Sequence, residues 1–420
     1  MATLEYIRSE LIHEEVENCN LNWVAIKNIQ SIEKLPVIFW KNGDQWDEVN
    51  LWALERVRNK DVKLKTVITQ MEHLHKYANW LEETQIDWRH FPKRKDERVL
   101  TIWRGFLIEM REHGVISAAT TSSRMNAVIQ FYRYADAHSL ILNGERKWKD
   151  RSVIVSYFNP IGFKRTLQRI TTDISIPNRS RVGARLEDGL LPIASHDQHA
   201  LMTFAKENTS EELYIMLLIG FYTGARLGTI TTLRNYSLER ALPSPLVSGV
   251  WILPIGPGTG VSTKFDVSGD LMIPDSLMQI LKAYSSSRKH LNRVIKATQE
   301  NKSYLFLTRN CNPYTPKAVD REMVTLRKKG MSAGLKFLVK FKFHQTRATY
   351  GTWLMTLCLR VASPKSSIEF VKRAMHHKHE ATTFGYITFL EHTKAKIELS
   401  NSFSKAFFGI EKKINGKIDD

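Results

Sequence analysis

Six polar side chains in the C-terminal half of the chain are of types that could break and rejoin a phosphodiester. They are, in chain order, Arg226, Lys264, His344, Arg347, His377 and Tyr386. Arginine, lysine and histidine donate charged hydrogen bonds to phosphate oxygens, and a tyrosine hydroxyl can act as a nucleophile. These residue types together predict a site that clamps a phosphodiester and attacks it.

Two short segments carry most of this signal. In FHQTRATYGTWL, His344 and Arg347 are three residues apart, so on a helix they share a face, and an apolar side is predicted for Tyr350, Trp353 and Leu354. In MHHKHEATTFGY, Tyr386 follows His377 by nine residues. Each segment also has an ordinary interpretation, because a His/Arg pair often only faces water. The HHKH run suggests a metal site weakly, since it lacks ordered carboxylates or cysteines nearby.

The other two residues lie in segments with weaker patterns. Arg226, in FYTGARLG, follows the end of an apolar helix and opens the next one, where a helix N-terminus favours anions. Taken alone, it could be a surface arginine after a turn glycine. Lys264, in VSTKFD, is the only lysine between Arg234 and Lys282 and lies in a strand-rich region. The nearby GPGTG is not followed by GK[ST], so a hairpin turn is favoured over a nucleotide loop.

Charge and composition indicate the class of partner. The 420 residues allow two or three domains. The net charge of +18 and the pI near 9.7 predict a polyanionic partner, although a basic ribosome-associated or RNA-modifying protein would also fit. Cys19, Cys311 and Cys358 form no CxxC pair, so we expect reduced thiols in the cytoplasm rather than disulfides or a zinc site. We expect neither a signal peptide nor a membrane span.

Hydrophobic periodicity predicts a helical bundle over residues 46–142. The inward faces are predicted to be Val67, Met71, Leu74, Tyr77 and Leu81; then Ile102, Phe106, Leu107 and Met110, ended by Gly114; then Met125, Val128, Phe131 and Tyr132. Residues 1–45 are predicted to combine a short helix with the strand LPVIFW, and Asp44 or Asp47 is expected to cap the helix that follows.

Residues 143–190 differ from both neighbours in charge and periodicity. Ten lysines and arginines lie here with Pro160 and Pro177 and little helical period: Arg146, Lys147, Lys149, Arg151, Lys164, Arg165, Arg169, Arg179, Arg181 and Arg185. We interpret the segment as a basic interdomain linker that contacts phosphates. A solvated loop is the alternative. From residue 191 the pattern indicates a second domain, whose first helix begins at Ser195.

The order and spacing of these blocks resemble the tyrosine recombinase (integrase) family. The resemblance covers roughly the last 230 residues well and the preceding ~100 in outline. FHQTRATYG resembles the family's HxLRH box, with Thr346 and Ala348 in place of leucine and histidine. MHHKHEATTFGY resembles LGHxxxxTTxxYxH, with His376 in place of glycine. The usual acid three residues after the first arginine is replaced by Thr229.

The resemblance implies a mainly α, multidomain protein. Its expected parts are an N-terminal extension (1–45), a candidate for binding arm sites; a helical SAM-like core-binding domain (46–142); the linker (143–190); and a mixed α/β, mostly helical catalytic domain with a small sheet (191–420). The tail segment SFSKAFFGI, with Phe403, Phe407, Phe408 and Ile410, is predicted to be an amphipathic helix that docks on a neighbouring protomer or packs on its own domain.

The resemblance also implies an activity and a role for each site residue. Arg226 and Arg347 would bind non-bridging phosphate oxygens, His344 and His377 would add hydrogen bonds, Lys264 would protonate the departing oxygen and Tyr386 would form a phosphotyrosine bond with a DNA 3′ end. No metal or cofactor is implied. The expected partners are double-stranded DNA, three further copies of the chain, and accessory DNA-bending or directionality proteins. A type IB topoisomerase and a DNA-binding protein without catalysis remain alternatives.

Overall fold

The chain divides into two compact units. Unit 1 comprises Met1–Tyr157 with Lys164–Val182, and unit 2 comprises Phe158–Phe163 with Gly183–Asp420. The computed structural model describes residues 1–10, 12–17, 20–25, 31–59, 62–141, 147–158, 164–178, 186, 189–378, 380, 382–391 and 393–394. Three sequence-based predictions fall outside these residues: the tail SFSKAFFGI, the state of Cys19, and part of the basic segment, including Arg179, Arg181 and Arg185.

Unit 1 combines four helices with three strand pairs. The helices are α1 (Asp47–Arg58), α2 (Leu64–Thr84), α3 (Val99–Glu112) and α4 (Ala118–Ala137). The strands are β1 (Thr3–Ser9), β2 (Ile12–Glu17), β3 (Asn20–Ala25), β4 (Ile32–Phe39), β5 (Asp150–Phe158) and β6 (Lys164–Thr172). They pair as β1 with β4, β2 with β3, and β5 with β6. The helices were anticipated from periodicity, and most of the strands were not.

The predicted inward faces of α2 and α4 are confirmed, because all of their named residues are buried. In α3 the prediction was partly wrong. Leu107 is buried, but the core face is otherwise formed by Val99, Leu100 and Trp103, while Ile102, Phe106 and Met110 are only half-buried. The reason is Trp103, whose ring packs against the rings of Tyr77 and Trp80. The face of α3 that carries Trp103 therefore points into the core.

The prediction for residues 1–45 was right for LPVIFW, whose first five residues lie in β4, and wrong for the N-terminal helix. Residues Thr3–Ser9 form β1, whose partner β4 lies more than twenty residues away, so Thr3 faces Phe39. A local periodicity cannot reveal such a distant partner. The predicted cap was also wrong: Trp46 precedes α1 without a side-chain capping bond, and Asp47 lies in the first helical turn. Ala2 and Ile38 pack in the same core as the helices.

The basic segment also contains regular structure that was not predicted. β5 and β6 form a two-stranded sheet inside residues 143–190, and Ile174 and Ile176 join the core of unit 1. The prediction missed these elements because it used charge and helical periodicity, and the pairing of one strand with another is not a local property of the sequence. Phosphate contact by this segment remains a prediction.

Unit 2 packs nine helices and a small antiparallel sheet in its described residues. The helices are α5 (Ser195–Asn208), α6 (Glu211–Thr223), α7 (Leu227–Thr231), α8 (Asn235–Glu239), α9 (Asp275–Ser285), α10 (Arg288–Lys296), α11 (Pro316–Ser332), α12 (Gln345–Val361) and α13 (Pro364–Ala374). The strands are β7 (Leu242–Pro243), β8 (Val250–Ile255) and β9 (Gly269–Pro274), in the order β7-β8-β9. A further helical stretch covers 382–391.

The elements of unit 2 follow the sequence closely. α5 begins at Ser195 as predicted, and α6 is buried almost all round because ten of its thirteen residues face protein. The GPGTG region connects β8 to β9, whose register pairs Leu253 with Leu271, so the predicted hairpin is confirmed. The mainly α class with small sheets is confirmed as well. Among the residues described, no helix combines the length and apolarity needed to cross a membrane.

Candidate active site

Arg347 lies at the centre of the candidate site. It is in the first turn of α12 and is only 1% exposed. Its Nη1 donates to the Gly224 carbonyl at 2.6 Å, and its Nη2 donates to the Met375 carbonyl at 2.5 Å. One planar guanidinium therefore fastens the loop after α6 and the turn after α13 to the start of α12.

Arg226 is positioned by the loop that ends α6. Gly224 closes that helix with φ +64, and a Cβ at this position would lie 2.4 Å from the Tyr350 ring, so only glycine fits. Arg226 then precedes the first residue of the short helix α7, as the sequence predicted. It is half-buried, and its Nη1 donates to the His376 carbonyl at 3.4 Å. Both predicted arginines thus bind the backbone of the same turn.

That turn, Met375–His377, contains the residue that departs from the family pattern. His376 has φ +51 and is 9% exposed. Its Nε2 lies 3.1 Å from the Asp270 carbonyl on β9. Burial, and then the nearby charges of Arg347 and Arg226, lower the pKa of His376 to about 4. The ring is therefore neutral near pH 7, and its Nε2–H donates to that carbonyl.

His377 and Tyr386 lie together on the other side of the same turn. The His377 Nδ1 is 2.8 Å from the Thr383 Oγ1, and the His377 and Tyr386 rings stack with centroids 6.1 Å apart. Tyr386 is 0% exposed. It packs closely on α12 because a Cβ at Gly351 would lie 2.5 Å from its Cε1. In this conformation the tyrosine is held inside unit 2 rather than presented at its surface.

His344 and its neighbours show how α12 is set in place. His344 directly precedes α12, one helical turn before Arg347, and is half-buried. Thr346 is buried and donates to the Phe343 carbonyl at 2.9 Å. A Cβ at Gly220 would lie 2.4 Å from the Thr346 hydroxyl oxygen, so α6 and α12 meet closely here. The smaller threonine fits this contact where the family's leucine would need more room.

Lys264 is the most exposed of the six residues. It begins a 3₁₀ turn, Lys264–Asp266, in the connection between β8 and β9. Its Nζ lies 5.4 Å from the centroid of the Phe265 ring, and the Lys378 Nζ lies at the same distance from that ring. Lys264 is therefore an exposed cation on the connection between two strands.

The structure thus connects four of the predicted residues, Arg226, Arg347, His377 and Tyr386, through one turn, with His344 a helical turn from Arg347. Lys264 is linked to them through β9. Sequence reasoning treated His376 only as a replacement for glycine and missed its contact with Asp270. Its departure from the family motif, a histidine in place of glycine, was the available signal.

Three further sequence-based expectations concern this region. The apolar side predicted for α12 is confirmed for Tyr350 and Leu354, but Trp353 is 57% exposed. Thr229, which replaces the usual acid, is buried in α7, and its N–H donates to the Arg226 carbonyl at 2.9 Å. Within the described part of the chain, which omits His379 of the HHKH run, no group of three or more His, Cys, Asp or Glu side chains could hold a metal ion.

Comparison with solved structures finds a similar fold in a transposon integrase. The Tn1549 transposon integrase in complex with transposon right end DNA is 16% identical, with 84% of this chain and 99% of that chain covered and a TM-score of 0.50. A lambda integrase dimer bound to a COC′ core site is 14% identical, covering 81% and 94%, at a TM-score of 0.46. A lambda integrase tetramer bound to a Holliday junction is 13% identical, covering 81% and 75%, at 0.45.

Sequence comparison identifies one domain of the chain. No curated protein matches the chain, but residues 193–392 match the phage integrase family. This range contains all six residues of the candidate site, the turn Met375–His377 and the connection between β8 and β9 that carries Lys264. The chain therefore carries a phage integrase family domain over residues 193–392.

Proposed function

We propose that this protein is a site-specific DNA recombinase that cuts and rejoins DNA through a covalent 3′-phosphotyrosine intermediate and thereby integrates or excises a mobile element. The observation that carries the proposal is the turn Met375–His377. Arg347 and Arg226 bind its backbone, and its last residue stacks on Tyr386. The two arginines proposed to bind the phosphate and the proposed nucleophile therefore all contact the same three-residue turn. The net charge of +18 supports duplex DNA as the substrate.

The proposed chemistry assigns each side chain one task. Arg226 and Arg347 bind the non-bridging oxygens, whose charge rises in the pentavalent transition state. His344 accepts the proton of the Tyr386 hydroxyl as that oxygen attacks phosphorus. Lys264 gives a proton to the departing 5′ oxygen. The phosphotyrosine bond retains the energy of the broken ester, so neither nucleotide nor metal is required.

Tyr386 must leave its buried position before it can attack. Its ring packs against Gly351 on α12, and the helical stretch 382–391 carries it. We propose that DNA binding and assembly move this stretch toward the arginines. His377 would remain in place, since the bonds that hold the Met375–His377 turn come from Arg347 and Arg226.

We also propose that four copies assemble on two duplexes and that the tail joins neighbours. Unit 2 has an open apolar cavity of about 660 Å³, bordered by Tyr222, Val247, Trp353 and Phe370. These four side chains are each between 47% and 57% exposed. The phenylalanine-bearing tail of a second copy has matching apolar character, and we propose it as the occupant. Accessory DNA-bending proteins would act on the same assembly, and we place its action in the cytoplasm.

The first test uses DNA from the boundaries of the protein's own element, identified by sequencing the DNA that flanks its gene. Wild-type protein with two junction duplexes in excess EDTA, without nucleotide, should give a covalent protein–DNA adduct and recombinant product. Arginines replace metal as the charge clamp, so chelation should change the yield little. Gel analysis of adduct and product checks this. Deleting the tail from Ser400 should leave single-site binding intact and reduce the paired complex.

Other outcomes of this test point to other functions. Relaxation of any supercoiled plasmid without strand exchange between junctions would identify a type IB topoisomerase. Binding without a covalent adduct would identify a DNA-binding protein that lacks catalysis. Loss of cleavage in EDTA with recovery in magnesium or zinc would identify a metallonuclease.

Lys264→Ala tests the assignment of the general acid. We expect cleavage of ordinary DNA to slow by about 100-fold or more, within the range for a positioned proton donor. A substrate with a 5′-bridging phosphorothiolate should be cleaved at nearly the wild-type rate, because its sulfur leaves without a proton. Lys378→Ala is the matched control, since Lys378 contacts the same Phe265 ring. Slow cleavage of both substrates would show that Lys264 positions the phosphate instead.

A further inference from the structure

Lys264, the proposed proton donor, is exposed. Its position relative to the two arginines therefore depends on the backbone turn that carries it. Its turn is short and closed. The Thr263 hydroxyl donates to the Val267 carbonyl at 2.8 Å across Lys264–Asp266. The backbone inside it is strained, since Phe265 and Asp266 both have positive φ, +65 and +52. Such a conformation in two adjacent non-glycine residues persists only where the surroundings hold it.

The turn is followed almost directly by β9, which begins at Gly269. A Cβ at Gly256 on the opposite side of the hairpin would lie 2.8 Å from the Val267 carbonyl oxygen and the Ser268 Cα. The connection is therefore packed tightly on itself at its base. Contacts that hold the first residues of β9 therefore help to set the place of Lys264 in unit 2.

Pairing with β8 holds these residues along the sheet, and His376 is a side chain that contacts them from another part of unit 2. Its Nε2–H donates to the Asp270 carbonyl, and its ring covers Gly269 so closely that a Cβ there would lie 2.3 Å from Cδ2. The backbone of the same residue accepts from Arg226, and the preceding carbonyl, that of Met375, accepts from Arg347. One residue thus joins the strand that follows the lysine turn to both arginines.

We propose that His376 is a positioning residue that sets Lys264 against the two arginines across the scissile phosphate. The inference rests on the proposed function. It explains why a histidine occupies a left-handed backbone position where glycine would be unstrained: the side chain supplies a tie that glycine lacks. Burial keeps the ring neutral, and because a carbonyl can only accept, the neutral ring carries its proton on Nε2.

The test compares His376→Gly with wild type on ordinary DNA and on the 5′-bridging phosphorothiolate. Glycine relieves the positive φ but removes the tie, so cleavage of ordinary DNA should slow by about 10- to 100-fold, a loss expected when a proton donor is misplaced. Cleavage of the phosphorothiolate should stay within a few-fold of wild type. DNA affinity should be unchanged, because both arginines bind backbone carbonyls that the variant keeps.

Gly269→Ala approaches the same contact from the strand. Its backbone φ is not left-handed, so alanine is tolerated there, but the new Cβ would displace the His376 ring. We expect the same selective defect on ordinary DNA. Gly105→Ala, where a Cβ meets nothing within 4 Å, is the matched control and should behave as wild type. His376→Asn, which tolerates positive φ and retains a donor on a shorter side chain, should show a smaller defect in the same direction.

The outcomes separate this inference from the proposed function. If wild type forms no covalent adduct on either substrate, the proposed function fails. If wild type cleaves and His376→Gly cleaves ordinary DNA equally well, the positioning role is wrong. It is also wrong if the glycine and asparagine variants lose both substrates in proportion, since that pattern indicates only a structural role.

Discussion

Tyr386→Phe should bind junction DNA with wild-type affinity and form no detectable covalent adduct on a nicked suicide substrate. The substitution removes one oxygen, which is the proposed nucleophile, and leaves the packing of the ring on Gly351 and His377 unchanged. Loss of the attacking atom should reduce adduct formation by at least about 10⁴-fold, as for other covalent catalysts. Denaturing gels measure the adduct, and mobility shift measures binding.

Tyr350→Phe is the matched control, because it removes the hydroxyl of the neighbouring tyrosine on α12. Burial raises the pKa of Tyr350 to about 12, so its hydroxyl is a poorer source of phenolate. Tyr350→Phe should therefore form adduct at close to the wild-type rate. A persistent adduct in Tyr386→Phe, lost in Tyr350→Phe, would move the nucleophile to α12.

Arg347→Lys should lower both catalysis and stability, although it keeps the positive charge. A lysine ammonium cannot donate to the Gly224 and Met375 carbonyls in one plane and also donate two parallel hydrogen bonds to a phosphate. We expect cleavage to fall by about 10²- to 10³-fold, as when a preorganised donor is removed. Two buried carbonyls would lose charged donors, which should cost about 2–5 kcal/mol of stability. Single-turnover cleavage and thermal unfolding of the purified protein measure the two effects.

Arg373→Lys is the control for this change of side-chain type. Arg373 is largely exposed and pairs with Glu369 at 2.9 Å, an interaction of little energetic worth on a surface. It should match wild type in both measurements. If Arg347→Lys were stable but inactive, the guanidinium would be needed for catalysis and not for stability. If Arg347→Lys were active, paired hydrogen bonds from a guanidinium to the phosphate would not be required.

The sequence predicted the ingredients of the site better than the way they are joined. The types and spacings of His344, Arg347, His377 and Tyr386 are local, and helix geometry brings the first two together without further information. The tie between His376 and Asp270 spans more than a hundred residues, and no local pattern encodes it. The burial of Tyr386 depends on the absence of a side chain at Gly351, on another helix.

The fold was predictable for similar reasons and to a similar extent. Helices such as α2 follow from a single face of apolar residues, and α6 from a nearly continuous apolar run. β1 was missed because its pairing with β4 is a long-range property. The buried face of α3 was predicted wrongly because Trp103 packs in the core in place of the predicted residues. Both misses are cases in which tertiary packing outweighed local propensity.

Under the proposed function, the burial of Tyr386 would limit DNA breaks at sites other than the target. A single copy bound to DNA in this conformation would keep the proposed nucleophilic oxygen inside unit 2, where Tyr386 is 0% exposed. Accidental breaks at lookalike sequences are then limited by how often the stretch 382–391 opens unaided, a rare minor state. Contact with a second copy that favours the open state of this stretch would restrict cleavage to sites where copies assemble. A copy that binds many non-target sites in turn would thus break few of them.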